Sequence, residues 1–263
     1  EHLKTLFDLG FNRVSFGMQD SNPEVQKVIN RIQPHAHVVQ VVEWAREIGY
    51  ESVNLDLVYG LPLQTLPRLE KTIQDALEIK PDRIAFYSYA HVPWTSKAQR
   101  LFDENDLPTA DEKMQLYQLG KKRFTDAGYT DIGMDHFALP TDPLAVAKRQ
   151  GRLHRNFQGY STQPDCDLIA LGVSAIGRVG STYSQNAKTL EEYYDDINQG
   201  RMPIVRGLAL SRDDLIRRAV IMALMCQGHL QYESIELAYL IDFKEYFADE
   251  IEMLKPLEHE GMV

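Results

Sequence analysis

The sequence has few cysteines, no long apolar run and no excess of positive charge, and each absence excludes a class of protein. Only Cys166 and Cys226 occur among 263 residues, so the sequence predicts neither a disulfide framework nor a metal site within them. Lys and Arg number 28 against 38 Asp and Glu, and the resulting net charge of −10 disfavours a nucleic acid partner. No run approaches the roughly 18 apolar residues of a membrane span, and no secretory signal opens the chain. A cytoplasmic protein without a membrane span is predicted.

Motifs of common catalytic classes are also missing. The chain contains no GxSxG, P-loop or HExxH sequence. The stretch GVSAIG lacks the acidic residue that follows a dinucleotide-binding fingerprint at a set distance. Hydrolase and nucleotide kinase functions therefore lose their usual support.

The first ninety residues alternate short strand patterns with amphipathic helix patterns. Strands are predicted at 13–19, 52–61 and 82–90, with helices between them, the first opened by Asn22 and Pro23. Such alternation predicts parallel strands joined by right-handed crossovers, in an α/β barrel or an open doubly wound sheet. Periodicity alone does not choose between the two.

In either fold, functional side chains belong at the carboxyl ends of the strands. That rule selects Gln19, the 56–60 segment and Ala90. Asp56 lies between apolar residues in NLDLVYG, so its carboxylate needs a partner. The partner is either structural, an arginine or backbone amides, which composition alone favours, or a ribose or amino group of a ligand. With Arg31 and Gln19 as donors for a carboxylate, Asp56 would complete a small-molecule crevice.

Beyond residue 100 the pattern changes. Thr109 and Glu112 form a predicted capping box, as do Thr189 and Glu192. The glycine-containing apolar run 167–180 predicts a buried strand whose backbone approaches a neighbour closely.

The chain is predicted to divide into three parts. These are later strands and helices of a barrel at 1–100, an extension at 101–204, and a helical C-terminal domain at 205–263. The chain opens without Met and closes on LEHEGMV, so we expect it to be part of a longer protein.

Six motifs, in order, resemble those of the oxygen-independent coproporphyrinogen III oxidases, which are radical S-adenosylmethionine enzymes of haem biosynthesis. The motifs are RVSFGMQD, NLDLVYGLPLQT, YAHVP, GMDHFALP, HRNFQGYST and GVSAIG. The resemblance covers the whole chain and is most specific at HRNFQGY. A related haem-chaperone branch carries a His-Asn-x-x-Tyr-Trp pattern there, whereas this chain has Arg155 after His154 and Ser161 after Tyr160. The oxidase is therefore favoured.

The resemblance implies part of a partial (β/α)6 TIM-like radical-SAM barrel followed by a small helical C-terminal domain. The family holds a [4Fe-4S] cluster with a CxxxCxxC motif near its N-terminus, and this chain has no such motif. We therefore expect the cluster cysteines to lie in a preceding segment and this chain alone to be inactive.

Family contacts carry over residue by residue. Those to S-adenosylmethionine fall on Gln19, Arg31, Asp56 and Ala90. Those to a second S-adenosylmethionine fall on Phe157, Gln158 and Ile176. Apart from these family contacts, our own candidates for the porphyrinogen carboxylates are His136, Arg155 and Arg178, for each of which a solvated or structural role is at least as open an interpretation.

The implied reaction converts two propionates of coproporphyrinogen III to vinyl groups by way of a 5′-deoxyadenosyl radical, giving protoporphyrinogen IX. The implied partners are coproporphyrinogen III and an electron donor for the cluster, and a monomer is expected. Two alternatives stay open. One is a haem chaperone that binds and transfers haem without turnover, and the other is a barrel enzyme that acts on a sugar or an acid.

Overall fold

A computed structural model describes residues 1–95, 97–157, 159–163 and 166–262. The chain folds into two compact units, Glu1–Gln150 and Gly151–Val263. This division coincides with neither of the boundaries predicted at residues 100 and 204, and those domain assignments stay predictions.

The first unit alternates helices with strands. Its strands are β1 (Arg13–Gln19), β2 (Ser52–Tyr59), β3 (Arg83–Ser88), β4 (Thr130–Gly133) and β5 (His136–Ala138). Its helices are α1 (His2–Asp8), α2 (Pro23–Val28), α3 (His35–Ile48), α4 (Leu66–Ile79), α5 (Ala110–Asp126) and α6 (Pro143–Arg149), with 3-10 turns at Lys97–Arg100 and Glu104–Asp106. The predicted α/β alternation is confirmed.

The five strands form one sheet in the order β1-β2-β3-β5-β4. β1, β2 and β3 are parallel, as the sequence predicts, and β5 runs antiparallel to both β3 and β4. The reversal arises because β4 and β5 are joined by a tight turn at Met134 and Asp135, too short for a crossover. Met134 adopts a φ of +46°, which closes that turn.

The two faces of β2 differ in burial. Val53, Leu55 and Leu57 are fully buried in the core beneath the helices, whereas the alternate residues Asn54 and Asp56 are only half-buried. Side chains alternate along a strand, so this pattern leaves one face of the parallel strands polar and accessible. That face carries the candidate site.

Capping side chains set the helix starts that the sequence predicts. The Asn22 side chain accepts hydrogen bonds from the backbone N–H groups of Glu24 and Val25 at the start of α2. Thr109 and Glu112 form the expected capping box of α5.

The second unit contains two small sheets and a group of helices. Its strands are β6 (His154–Asn156), β7 (Gly159–Ser161), β8 (Ile176–Val179), β9 (Thr182–Asn186) and β10 (Ile204–Ala209). β6 and β7 form a hairpin, and β10, β9 and β8 form an antiparallel sheet in that order. Its helices are α7 (Leu190–Asn198), α8 (Arg212–Gln227), α9 (Tyr232–Tyr239), α10 (Phe243–Tyr246) and α11 (Ala248–His259).

The predicted buried strand at 167–180 is wrong in extent and in burial. Only Ile176–Val179 is a strand, and Ile169 and Leu171 are exposed. Positive φ angles at Gly172 and Ser174 interrupt the extended chain. The close backbone approach does occur, because a Cβ at Gly177 would lie 2.9 Å from the Leu168 carbonyl oxygen.

The C-terminal helices pack on one another around a small core. Ile216, Ile235, Phe243 and Phe247 are buried there. The helical run after residue 232 is divided, since Leu240 adopts a φ of +53° and ends α9. No α-helix in the described part of the chain has the length and apolar character needed to cross a membrane.

Candidate functional site

One row of four residues crosses the open face of the sheet in the first unit. Gly17 pairs with Asp56, Asp56 with Ala85, and Ala85 with His136. Paired residues on neighbouring strands share a face, so Asp56 and His136 lie on the same face, roughly 10 Å apart at two strand spacings. The His136 ring also contacts Tyr87 edge-on, with ring centroids 5.7 Å apart.

Asp56 is held by neutral side chains. Its Oδ1 accepts hydrogen bonds from Asn54 Nδ2 at 2.7 Å and from Ser15 Oγ at 3.1 Å. Its Oδ2 has no hydrogen-bond partner among the described residues. Burial raises the pKa of the Asp56 carboxyl, and the bonds from Ser15 and Asn54 and the charge of Arg31 oppose that rise. The structural partners are thus a hydroxyl and an amide, not the arginine or backbone amides predicted, and one oxygen can accept bonds from a ligand.

Gln19 and Arg31 meet above Gly17. A Cβ at Gly17 would lie 2.5 Å from Gln19 Nε2 and 2.7 Å from Arg31 Nη2, and Arg31 Nη2 donates to the Gly17 carbonyl at 3.0 Å. Glycine is therefore required for both side chains to approach this strand end. Because Gly17 pairs with Asp56, the structure brings Gln19, Arg31 and Asp56 together. The strand-end rule selects Gln19 and Asp56, and Arg31 joins them from the segment after α2.

Ala90 lies two residues beyond β3, at the same edge of the sheet. Its carbonyl oxygen accepts a hydrogen bond from Gln99 Nε2 at 3.1 Å. The preceding residue, Tyr89, donates its N–H to the Tyr59 carbonyl at 2.8 Å and accepts from Lys113 Nζ at 2.6 Å. The loop that carries Ala90 is thereby tied to the end of β2.

The raised pKa of Asp56 predicts that Asp56→Asn stabilises the ligand-free protein. A carboxyl whose folded-state pKa lies above its unfolded value of 3.8 destabilises the fold once it is ionised. We expect Asp56→Asn to melt at a higher temperature than the unsubstituted protein at pH 7. The difference should shrink as the pH falls toward the unfolded-state pKa.

Thermal melts of both proteins at a series of pH values check this. A lower melting temperature for Asp56→Asn at pH 7 would mean that the bonds from Ser15 and Asn54 outweigh the cost of burial.

The second unit contains a cavity of about 740 Å³. Residues from β6, β8, β9 and α8 line it, with Arg155, Phe157 and Arg178 among them. The β6–β7 hairpin is fixed against α8 because the Tyr160 hydroxyl donates to the Met225 carbonyl at 3.0 Å. The cavity wall therefore combines cationic and aromatic side chains on well-anchored elements.

Arg155 is the cation whose geometry best suits a ligand in this cavity. Its guanidinium carbon stands 4.7 Å from the centroid of the Tyr160 ring, which holds the side chain in place. Its Nη1 is buried and has no hydrogen-bond partner among the described residues. A buried guanidinium nitrogen without an acceptor is costly, so an acceptor supplied by a bound molecule would stabilise it.

The other predicted site residues of the second unit lie in different surroundings. Arg178 donates to two backbone carbonyls, those of Cys166 at 2.9 Å and Gly180 at 3.3 Å, so much of its donor capacity is used within the fold. Phe157 is exposed and meets Tyr183 edge-on at 5.3 Å. Ile176 opens β8 and is not among the residues that line the cavity. Gln158 lies outside the described residues.

The polar residues above Gly17 and the two cysteines differ in the cofactor that they could hold. Gln19, Arg31 and Asp56 present amide, guanidinium and carboxylate groups above a glycine, which fits a zwitterionic nucleoside such as S-adenosylmethionine. Cys166 is exposed and Cys226 is buried, and no three His, Cys, Asp or Glu in the described ranges could hold a metal ion. These residues therefore do not fit an iron–sulfur cluster.

Sequence reasoning missed Ser15, Asn54 and Gly17, although a signal for one of them exists. Asn54 and Asp56 are two apart in a strand and must share a face. Ser15 and Gly17 depend on the register between β1 and β2, which no pattern in the sequence specifies.

Comparisons with known proteins found matches to both ends of the chain and to its fold. Residues 1–76 match the Radical SAM superfamily, and residues 210–263 match the HemN C-terminal domain. The solved structure of coproporphyrinogen III oxidase (HemN) from Escherichia coli, described as a radical SAM enzyme, matches with a TM-score of 0.93 and 46% identity. The match covers 99% of this chain and 60% of that one, and it confirms the predicted α/β radical-SAM fold with a helical C-terminal region.

Among the relatives that carry the name oxygen-independent coproporphyrinogen III oxidase are those from Synechocystis sp. and Thermostichus vulcanus. The one from Synechocystis sp. is 46% identical over 267 residues, which cover all of this chain and 57% of that protein. The one from Thermostichus vulcanus is 44% identical over 256 residues, which cover 97% of this chain and 79% of that protein. The chain thus spans little more than half the length of the Synechocystis relative, and nothing in these matches favours the haem-chaperone alternative.

Proposed function

The chain belongs to the family of oxygen-independent coproporphyrinogen III oxidases, and on that premise we propose that it acts in the oxidative decarboxylation of coproporphyrinogen III to protoporphyrinogen IX. The observation that carries the proposal is the meeting of Gln19, Arg31 and Asp56 above Gly17. Those are the groups that a radical S-adenosylmethionine enzyme needs at a strand end.

Each residue of this set has a role that its chemistry allows. The guanidinium of Arg31 and the amide of Gln19 donate to the carboxylate of S-adenosylmethionine. The free oxygen of Asp56 accepts from ribose hydroxyls, and the backbone at Ala90 borders the cofactor. The residues would hold S-adenosylmethionine, and the chemistry it would supply there is a radical, formed when one electron from the cluster breaks its carbon–sulfur bond, that can remove a hydrogen atom from a propionate side chain. These residues orient the cofactor and exclude water from it.

Membership of the radical SAM superfamily implies S-adenosylmethionine and a [4Fe-4S] cluster as cofactors. We propose that the cluster binds outside residues 1–263, because two cysteines cannot supply the three thiolates of the family motif. A second S-adenosylmethionine would contact Phe157, Gln158 and Ile176. The exposed face of Phe157 offers it a stacking surface.

The cavity of the second unit suits the carboxylates of the substrate. Arg155 offers a buried nitrogen with no acceptor among the residues that the structure describes, and Arg178 adds positive charge to the same wall. His136 is a further candidate in the first unit, on the face of the sheet that carries Asp56. An electron donor for the cluster, a monomeric state and a cytoplasmic location complete the proposal.

Anaerobic turnover by the full-length enzyme tests the function. With the cluster reconstituted, reductant, S-adenosylmethionine and coproporphyrinogen III are added, and protoporphyrinogen IX and 5′-deoxyadenosine are followed together. Formation of both products is expected. Stoichiometric haem binding with neither product would contradict an oxidase.

Arg155→Gln tests the carboxylate site. Losing one charge-assisted hydrogen bond, worth about 1.5–3 kcal/mol, should raise the KM for coproporphyrinogen III by roughly 10- to 100-fold. The affinity for S-adenosylmethionine should stay unchanged, and steady-state kinetics with each substrate varied separately measure both.

Arg206→Gln is the matched control. Arg206 lies on β10, donates to the Gln185 side chain and does not line the cavity. Its substitution should leave both constants within about twofold, since surface polar contacts contribute little. Equal effects of the two substitutions on KM would remove Arg155 from the substrate site.

A further inference from the structure

A cluster of buried polar side chains lies where β1 ends. None of them is among the residues predicted to contact S-adenosylmethionine. Asp20 and Thr72 are 0% exposed, and Gln26 and Gln64 are 5% exposed. These four side chains are called the Asp20 cluster below. Buried polar groups are costly unless they are hydrogen-bonded, and each of these makes several bonds.

Both oxygens of the Asp20 carboxylate are used. Oδ1 accepts from the Asn22 backbone N–H at 2.6 Å and from Thr72 Oγ1 at 2.9 Å, and Oδ2 accepts from Gln64 Nε2 at 2.7 Å. One side chain thereby joins the turn after β1, the helix α4 and the loop after β2. Because it is fully buried, it cannot itself touch a ligand.

Gln64 extends the connection to β2. Its Nε2 also donates to the Val58 carbonyl at 3.0 Å, and its Oε1 accepts from the backbone N–H groups of Gly60 at 2.7 Å and Leu61 at 3.3 Å. Asp20 and Gln64 therefore bridge the carboxyl ends of the two strands that carry Gln19 and Asp56.

Gln26 extends this hydrogen-bonded connection to the segment that carries Arg31. The Gln26 side chain donates to the carbonyls of Asp20 and Gln33, each at 2.8 Å, and accepts from the Gln33 N–H at 3.0 Å. The Gln26 carbonyl accepts from the Arg31 N–H at 2.8 Å. The backbone on both sides of Arg31 is thus tied to the backbone carbonyl of Asp20, and the Asp20 carboxylate in turn fixes that part of the backbone through its bond from the Asn22 N–H.

The backbone at Gln19 explains why such an anchor is needed. Gln19 has a φ of +62°, and the Asp20 N–H donates to the Met18 carbonyl at 2.8 Å, so Gln19 is the centre of a γ-turn. This form of γ-turn is strained, and a residue stays in it only where its surroundings hold it. The same turn produces the register shift between β1 and β2 and directs the Gln19 amide over Gly17.

We infer that Asp20 is a positioning residue that holds the Gln19 turn and the Arg31 segment in the geometry that binds S-adenosylmethionine. The inference rests on the proposed function of that site. It assigns a role in cofactor affinity to a residue that makes no contact with the cofactor.

Asp20→Asn in the full-length enzyme tests the inference. Asparagine keeps one acceptor oxygen and replaces the other with an NH2 group, so a donor faces either Gln64 Nε2 or the Asn22 N–H, whichever way the amide is turned. We expect the dissociation constant for S-adenosylmethionine to rise by about tenfold or more, the effect of one lost buried hydrogen bond. Equilibrium dialysis of the reconstituted enzyme, well below its melting temperature, measures the constant.

Asp142→Asn is the matched control at the opposite end of the sheet. Asp142 is also buried, pairs with Arg83 Nε at 2.8 Å and accepts from the Leu144 N–H at 2.7 Å. Arg83 opens β3, so this carboxylate lies at the amino ends of the strands. Asp142→Asn should lower the melting temperature and leave the S-adenosylmethionine dissociation constant within about twofold.

The outcomes separate the inference from the proposed function. If the unsubstituted enzyme binds S-adenosylmethionine and both variants lose only stability, Asp20 is a structural residue and the inference is wrong, while the function stands. If the unsubstituted enzyme does not bind S-adenosylmethionine, the function is wrong and the inference falls with it.

Thr72→Val carries the same test should Asp20→Asn not fold. It removes the hydroxyl that donates to Asp20 and accepts from the Ser21 N–H at 3.1 Å, two bonds of the same turn, and it keeps the shape of the side chain. A rise of about threefold or more in the dissociation constant supports the inference, and an unchanged constant overturns it.

Discussion

Replacing Asp56 by alanine in the full-length enzyme should weaken S-adenosylmethionine binding about 100-fold and reduce 5′-deoxyadenosine formation at limiting cofactor by a similar factor. Two hydrogen bonds from ribose hydroxyls to a carboxylate together contribute about 3 kcal/mol, and each 1.4 kcal/mol is a factor of ten. The substitution leaves Ser15 and Asn54 with each other as hydrogen-bond partners, so the strand pairing should survive. Equilibrium dialysis and anaerobic product analysis measure the two effects.

Asp131→Ala is the matched control for Asp56→Ala. Asp131 is a half-buried carboxylate of the same sheet, paired with Lys121 at 3.0 Å. It pairs in register with Phe137, so it lies on the face opposite His136 and Asp56. Its removal should leave cofactor binding unchanged. A similar loss of affinity in both variants would mean that Asp56 acts through general stability and not through the ribose.

Replacing Phe86 by alanine should destabilise the protein by about 3–5 kcal/mol, a large share of the stability of an ordinary domain. Phe86 belongs to β3, and its side chain is fully buried. The centroid of its ring lies 4.7 Å from that of Tyr59 and 5.3 Å from that of Phe124. A Cβ at Gly120 of α5 would overlap this ring, so helix and ring are in close contact. Removing the ring therefore leaves a cavity where sheet and helix meet.

Tyr87→Ala is the control for Phe86→Ala, one residue along the same strand. Tyr87 points to the opposite face and is 38% exposed. Replacing Tyr87 should lower the free energy of unfolding by well under half as much, because folding buries less apolar surface at this position. Urea unfolding of the two variants and the unsubstituted protein gives the free energies. Equal costs would mean that burial on the helix side does not dominate the stability of β3.

A large part of this protein can be predicted from local patterns. The alternation of strand and helix periods predicts the α/β fold, and Asn22 and Thr109 mark helix starts that the structure confirms. The rule that parallel strands carry function at their carboxyl ends selects Gln19 and Asp56, and the structure brings these together. The helix starts can be predicted because capping depends on residues close in sequence, and the strand-end prediction succeeds because crossover connections bring the carboxyl ends of parallel strands to one edge of the sheet.

Other features depend on contacts between distant residues, and only the tertiary structure decides them. The antiparallel β5 follows from a short turn, and the run at 167–180 is exposed because positive φ angles break it. In the Asp20 cluster, Asp20 bonds to Thr72, 52 residues away in sequence, and to Gln64, 44 residues away. The cluster lies beside the γ-turn at Gln19, which no sequence pattern predicts. Residue identity therefore determined the fold class, the family and the candidate side chains for a cofactor site. Strand register and burial decided which of those side chains meet, because hydrogen bonding and desolvation depend on neighbours that the linear chain does not reveal.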